Sequence, residues 1–133
     1  MLDKKIKLFS VSEITQKIGR ITGRDGIYLD EISFKNDKTL FLKGEINGQL
    51  CSVFHEARWI EYEMKFKDVK YQRVFDPEKN SDPEEFDSNI VLKSNSQLIN
   101  NNMDEMCHFF ISTYDYNIDV VATSIELTIV NTR

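Results

Sequence analysis

Proline is almost absent from this chain. There are two, Pro77 and Pro83, both in one acidic stretch, so elsewhere the backbone is free to donate to strand ladders. Glycine is scarce too, five in all, and no internal repeat or low-complexity tract occurs, which excludes collagen-like and linker architectures. An alanine-rich helical composition is also missing. Two cysteines, Cys51 and Cys107, are too few for a disulfide scaffold; both lie in apolar, strand-like segments and are expected as buried, reduced thiols. With two histidines and neither CxxC nor HxxxH spacing, no zinc site is expected. The basic start, Met1 to Lys7, is followed by no long apolar stretch. Neither a signal peptide nor a membrane span of about twenty apolar residues is expected, and the cytoplasm is the expected compartment.

What is present is ordinary globular composition. The 133 residues are 41% apolar and 29% charged, enough for one domain with its own core. The net charge of −5 argues against nucleic acid, which requires a basic surface. Charge is uneven. Lys and Arg predominate before residue 25, while residues 76–88 concentrate carboxylates.

A helix is expected over about 10–22. Ser10 and Glu13 have capping-box spacing, Phe9 and Ile14 that of a hydrophobic staple, and Val11, Ile14, Ile18 and Ile21 form one apolar stripe. Gly23 is expected to end it. Beyond Gly26 the period becomes two. A meander is expected over about 27–75, with a type I′ hairpin at Asn47-Gly48 and a third strand from Gln49 to Phe54. In the next strand Ile60, Tyr62, Met64 and Phe66 alternate with Glu61, Glu63 and Lys65, the pattern of a sheet wet on one side. Lys67-Asp68 is expected to turn the chain into a strand from Val69 to Phe75. The acidic stretch 76–88 reads as an exposed loop, Ile90 to Leu92 as a short strand, and about 107–130 as a terminal hairpin around Asp115. Ile118 and Val120 are out of phase with Ile125, Leu127 and Ile129, so a β-bulge is expected near Thr123. The fold class is mainly β (α+β): about eight antiparallel strands curled into a barrel or sandwich, with one N-terminal helix.

Four clusters carry possible chemistry. Glu61 and Glu63 share a strand face with Trp59; paired carboxylates beside an aromatic ring suit a sugar, although a solvated strand face gives the same pattern. His55 and Arg58 precede Trp59, offering a base and an anion contact, or simply a polar connection. Glu84 and Glu85 lie in the acidic loop, whose oxygen ligands lack EF-hand order and offer a surface to a basic partner. Tyr114, Asp115 and Tyr116 form an aromatic, acidic hairpin tip suited to protein recognition or to packing over the end of the sheets. Gly19, Gly23 and Gly26 resemble a phosphate loop only in glycine content, so no cofactor is expected.

Being small, acidic, β-rich and poor in motifs, the chain resembles immunity proteins that neutralise bacterial toxins, while the acidic loop and the Glu61/Glu63 face suggest a basic protein partner. Three functions are therefore separated. The first is a non-enzymatic protein-binding domain using the acidic loop and the Glu61/Glu63 face. The second is a small-molecule carrier, a β-barrel with a cavity lined by Tyr62, Met64, Phe66 and Tyr71. The third is a hydrolase using Glu61/Glu63 or His55.

Overall fold

The alternation that begins at Trp59 sets the frame. In the computed structural model, which describes residues 5–54, 56, 58–76, 88–93, 96–99 and 105–133, β4 (Trp59–Lys67) lies at the centre of a five-stranded antiparallel sheet. Its order is β1 (Ile6–Leu8), β9 (Ser124–Thr132), β4, β3 (Leu40–Asn47), β2 (Ile27–Phe34). A four-stranded antiparallel sheet holds β5 (Tyr71–Phe75), β8 (Asn117–Ala122), β7 (Cys107–Ser112) and β6 (Ile90–Lys93) in that order. The arrangement is a sandwich, not a closed barrel. Ile60, Tyr62, Met64 and Phe66 point into the core and are buried, while Glu61 is exposed and Glu63 and Lys65 are half-buried. Phe66 meets Phe109 of the opposite sheet with ring centroids 5.4 Å apart.

Two crossings decide the topology. The expected meander holds for β2, β3 and β4, but β5 pairs with β8 and not with β4. Asp68 takes a positive φ of 53°, which redirects the chain into the small sheet. The long second arm of the terminal hairpin likewise splits at Thr123 into β8 and β9, one in each sheet. The phase change read as a bulge is therefore a change of sheet: a side chain facing the core from one sheet must face the opposite way once the chain joins the other. The crossings brace each other. The Thr123 backbone N–H donates to the Lys67 carbonyl at 3.0 Å, and its hydroxyl lies 3.0 Å from an Asp68 carboxylate oxygen.

Helix α1 is shorter than expected, Val11–Lys17. The Glu13 N–H donates to Ser10 Oγ at 3.1 Å, but the Glu13 carboxylate reaches back to the Phe9 N–H, at 2.7 Å, and not to Ser10. Phe9 itself stays exposed. Gly19, with φ of 90°, ends the helix, four residues before Gly23. α1 packs against β1 and β6, spanning from one sheet to the other.

The hairpin expected at Asn47-Gly48 does not form. Asn47 has φ −78° and ψ 107°, its side-chain oxygen accepts from the Gln49 N–H, and Gly48 opens a single turn of 3-10 helix, Gly48–Leu50. Gly48 is needed for close approach, since a Cβ there would lie 2.6 Å from the carbonyl oxygens of Glu56 and Arg58. Nor is Gln49 to Phe54 a strand. Val53 and Phe54 donate backbone N–H bonds to the Ile18 carbonyl at 3.0 and 3.1 Å, and Cys51 bridges to Ile21. The unpaired carbonyl at the helix end thus captures the segment. β1 was not foreseen; three residues are too few to show a period.

Candidate functional site

The outer face of the large sheet carries charge on every strand. Glu63 lies 3.8 Å from Lys43, and Lys65 lies 3.8 Å from Glu126, so each ion pair joins neighbouring strands. Glu61 stands directly opposite Glu45, a like-charge pair that opposes folding. The Glu45 carboxylate is held by Arg133, whereas Glu61 is exposed. Next to it, Asp30, Glu31, Glu61 and Glu63 surround Lys43 and Gly44 in a hollow of about 190 Å³.

A β-bulge builds that hollow. The register of β2 on β3 shifts between Leu29 and Glu31, leaving Asp30 as the extra residue. Gly44 makes this possible, because a Cβ on it would lie 1.9 Å from the Tyr28 carbonyl oxygen. The same carbonyl accepts the buried Tyr62 hydroxyl at 3.0 Å. Burial pushes the Tyr62 hydroxyl pKa upward, so it stays a proton donor.

Tyr28 then joins two residues that the sequence left apart. Its ring meets Trp59 edge-on at 5.5 Å and stacks on Tyr114 at 5.1 Å. The hairpin tip is brought there by backbone bonds. Tyr114 N–H donates to the Ile27 carbonyl at 2.8 Å, and the Leu29 N–H donates to Asp115 Oδ2 at 2.9 Å. Asp115 is thus spent on covering the open edge of β2, a way of blocking unwanted strand pairing. Tyr114 and Tyr116 remain 43% and 47% exposed, and Arg24 sits 5.2 Å from the Tyr114 ring centre. Desolvation, followed by the Asp25 carboxylate, holds the Tyr28 hydroxyl pKa above its ordinary value.

The other expected residues separate. Arg58 is exposed, 3.5 Å from Glu56, and lines a cleft of about 280 Å³ with Lys17, Ile18, Phe54 and Ile129. His55, Glu84 and Glu85 lie outside the described residues, as does the acidic loop from 77 to 87. The four residues expected to line a carrier cavity separate. Tyr62, Met64 and Phe66 fill the space between the sheets, while Tyr71 lies on an edge strand of the small sheet and is exposed. Both cysteines are free, Cys51 buried and Cys107 half-buried. Among the described residues no group of three His, Cys, Asp or Glu is placed to hold a metal, and no helix is long and apolar enough to cross a membrane.

Sequence reasoning missed Tyr28, whose neighbours in the chain show nothing unusual. It also missed His108 and Asp119. Each is a lone ionisable residue in an apolar run, and that was the available signal, because such a residue needs a partner once buried. No family model, curated protein or solved structure matches the chain.

Proposed function

We propose that this chain is a protein-binding domain whose acidic, aromatic face on the large sheet takes a basic segment of a protein partner. One observation carries the reading: Tyr28 joins Trp59 and Tyr114 into a row of rings beside a hollow with four carboxylates and one lysine. Arginine and lysine side chains stack on such rings and pair with such carboxylates, and contacts of this kind dominate binding energy at interfaces. Glu61 favours the same partner, because Arg133 already holds the opposite Glu45 and leaves the Glu61 carboxylate exposed to meet a cation. The acidic loop with Glu84 and Glu85 adds to the field that would steer such a partner. The likeness in composition to immunity proteins agrees with a protein-binding role.

Selection from a displayed library of random peptides tests this. Peptides rich in Arg and Lys should be enriched, and their affinity should fall with added salt. Trp59→Ala and Glu61→Lys should each weaken the selected peptides by about tenfold or more, the loss of one good contact. Enrichment without basic bias, or affinity unchanged in both variants, would remove this face from the function.

A further inference from the structure

A second site lies on the small sheet, on strands remote from that face. Four side chains form an unbroken hydrogen-bonded line there. Ser96 Oγ is 2.5 Å from His108 Nδ1, His108 Nε2 is 2.7 Å from Asp119 Oδ1, and Arg73 Nη2 is 2.8 Å from Asp119 Oδ2. Strand pairing creates the line. Arg73 of β5 stands directly opposite Asp119 of β8, and His108 of β7 is the diagonal neighbour, two residues along from Phe110, which pairs with Asp119 on its other side. Ser96 comes from the turn that follows β6, whose Lys93 pairs with His108. His108 and Asp119 are each 3% exposed, and Ser96 is half-buried.

The chemistry of the line has a direction. A carboxylate only accepts, so in the neutral imidazole Nε2 carries the proton and Nδ1 is left to accept from the Ser96 hydroxyl. That is a hydroxyl, a base and an orienting carboxylate in sequence, the arrangement that activates a serine. Arg73 holds the second oxygen of Asp119 and so fixes the carboxylate toward the ring. The Leu98 N–H, which donates to Ser96 Oγ at 3.1 Å, fixes the hydroxyl in place.

We propose that Ser96 is an activated nucleophile, that His108 is its base, and that the substrates are uncharged carboxylic esters with apolar acyl groups. The apolar preference follows from Leu98 and Ile99, which are half-buried in the Ser96 turn. The guanidinium of Arg73 is bound to Asp119 at the far end of the line, away from the reacting hydroxyl. Ser96 Oγ attacks the ester carbonyl while its proton passes to His108 Nδ1. The C–O bond to the leaving alcohol then breaks, and that proton goes to the departing oxygen. Water attacks the acyl-serine with His108 again taking a proton, releasing the carboxylic acid and restoring the hydroxyl. Ser96 and His108 are the catalytic residues; Asp119 and Arg73 are positioning residues.

The test uses the full chain with a fluorophosphonate probe and with p-nitrophenyl butyrate. The probe should lose fluoride and leave an adduct on the peptide containing Ser96. Ester turnover should fall about a hundredfold or more in Ser96→Ala and His108→Gln, in the range that base catalysis contributes. Asp119→Asn should lower kcat with KM unchanged, and Arg73→Lys should retain more kcat than Arg73→Gln, differences that mere unfolding would not give. Trp59→Ala should leave all of this intact, which separates this site from the binding face. Absence of an adduct at Ser96, or turnover unchanged in a folded Ser96→Ala variant, overturns the proposal even if His108→Gln fails to fold.

Discussion

At the residue scale, glycine and cysteine show how close packing fixes identity. Gly44 is a glycine because the backbone of β2 passes over it, and nothing in its own conformation demands one. Gly44→Ala should lower stability by at least about 2 kcal/mol in urea denaturation, since overpacking of this size cannot be absorbed by a backbone carbonyl. Cys51 is buried with its Sγ 3.5 Å from the Asn47 carbonyl oxygen, and burial pushes its thiol from an ordinary 9.0 up to about 12. A raised pKa means that the folded state holds the proton more tightly. The resulting stabilisation is complete below pH 9 and is lost as pH rises toward about 12. Melting curves across that window should fall for the parent protein and fall less for Cys51→Ala. The thiol should likewise resist alkylation at neutral pH until denaturant is added.

At the element scale, the two crossings carry the fold. Had the chain continued straight at Lys67, the small sheet would lose its β5 edge, and had it continued straight at Ala122, the large sheet would lose β9 from between β1 and β4. Thr123 ties the crossings through its backbone N–H and its hydroxyl. Thr123→Val keeps the shape and removes the hydroxyl, so stability should drop by about 1 kcal/mol, the net value of a hydrogen bond of this kind. Helix α1 is a smaller case. Its seven residues are too few to be stable alone, so it depends on its cap and on burying Ile14 between the sheets. Ser10→Ala should cost about 1 kcal/mol by the same measurement.

At the scale of the whole molecule, the sandwich separates its two candidate chemistries. The large sheet offers an open face of rings and carboxylates. The small sheet carries a polar line from Ser96 to Arg73, buried in its middle at His108 and Asp119. β4, β8 and β9 lie inside their sheets, whereas β5 and β6 form the two edges of the small one. Amide exchange should therefore be slowest in β4, β8 and β9, with β5 and β6 exchanging through local opening well before global unfolding. If β5 proves as protected as β8, the small sheet opens only as a unit, and Arg73 is held as firmly as Asp119.

What the sequence determined by itself was local. The period of two from Ile60 to Phe66 announced which side faces the core, and Ser10 with Glu13 announced where a helix starts, because each signal lies within a few residues of the group it acts on. Trp59, Glu61, Glu63, Tyr114 and Tyr116 could be singled out as surface candidates for the same reason. Tertiary structure decided everything that depended on residues distant in the chain. Asn47-Gly48 lost its turn to the carbonyl of Arg58, and residues 49–54 were taken by the end of the helix. The phase change at Thr123 became a crossing, since a bulge and a change of sheet leave the same mark in a sequence. Tyr28 joined Trp59 to Tyr114 only after a hairpin 86 residues away docked on β2. Ser96, His108, Asp119 and Arg73 met because a β-sheet places strands side by side about 5 Å apart whatever their separation along the chain, and no spacing within one segment records that.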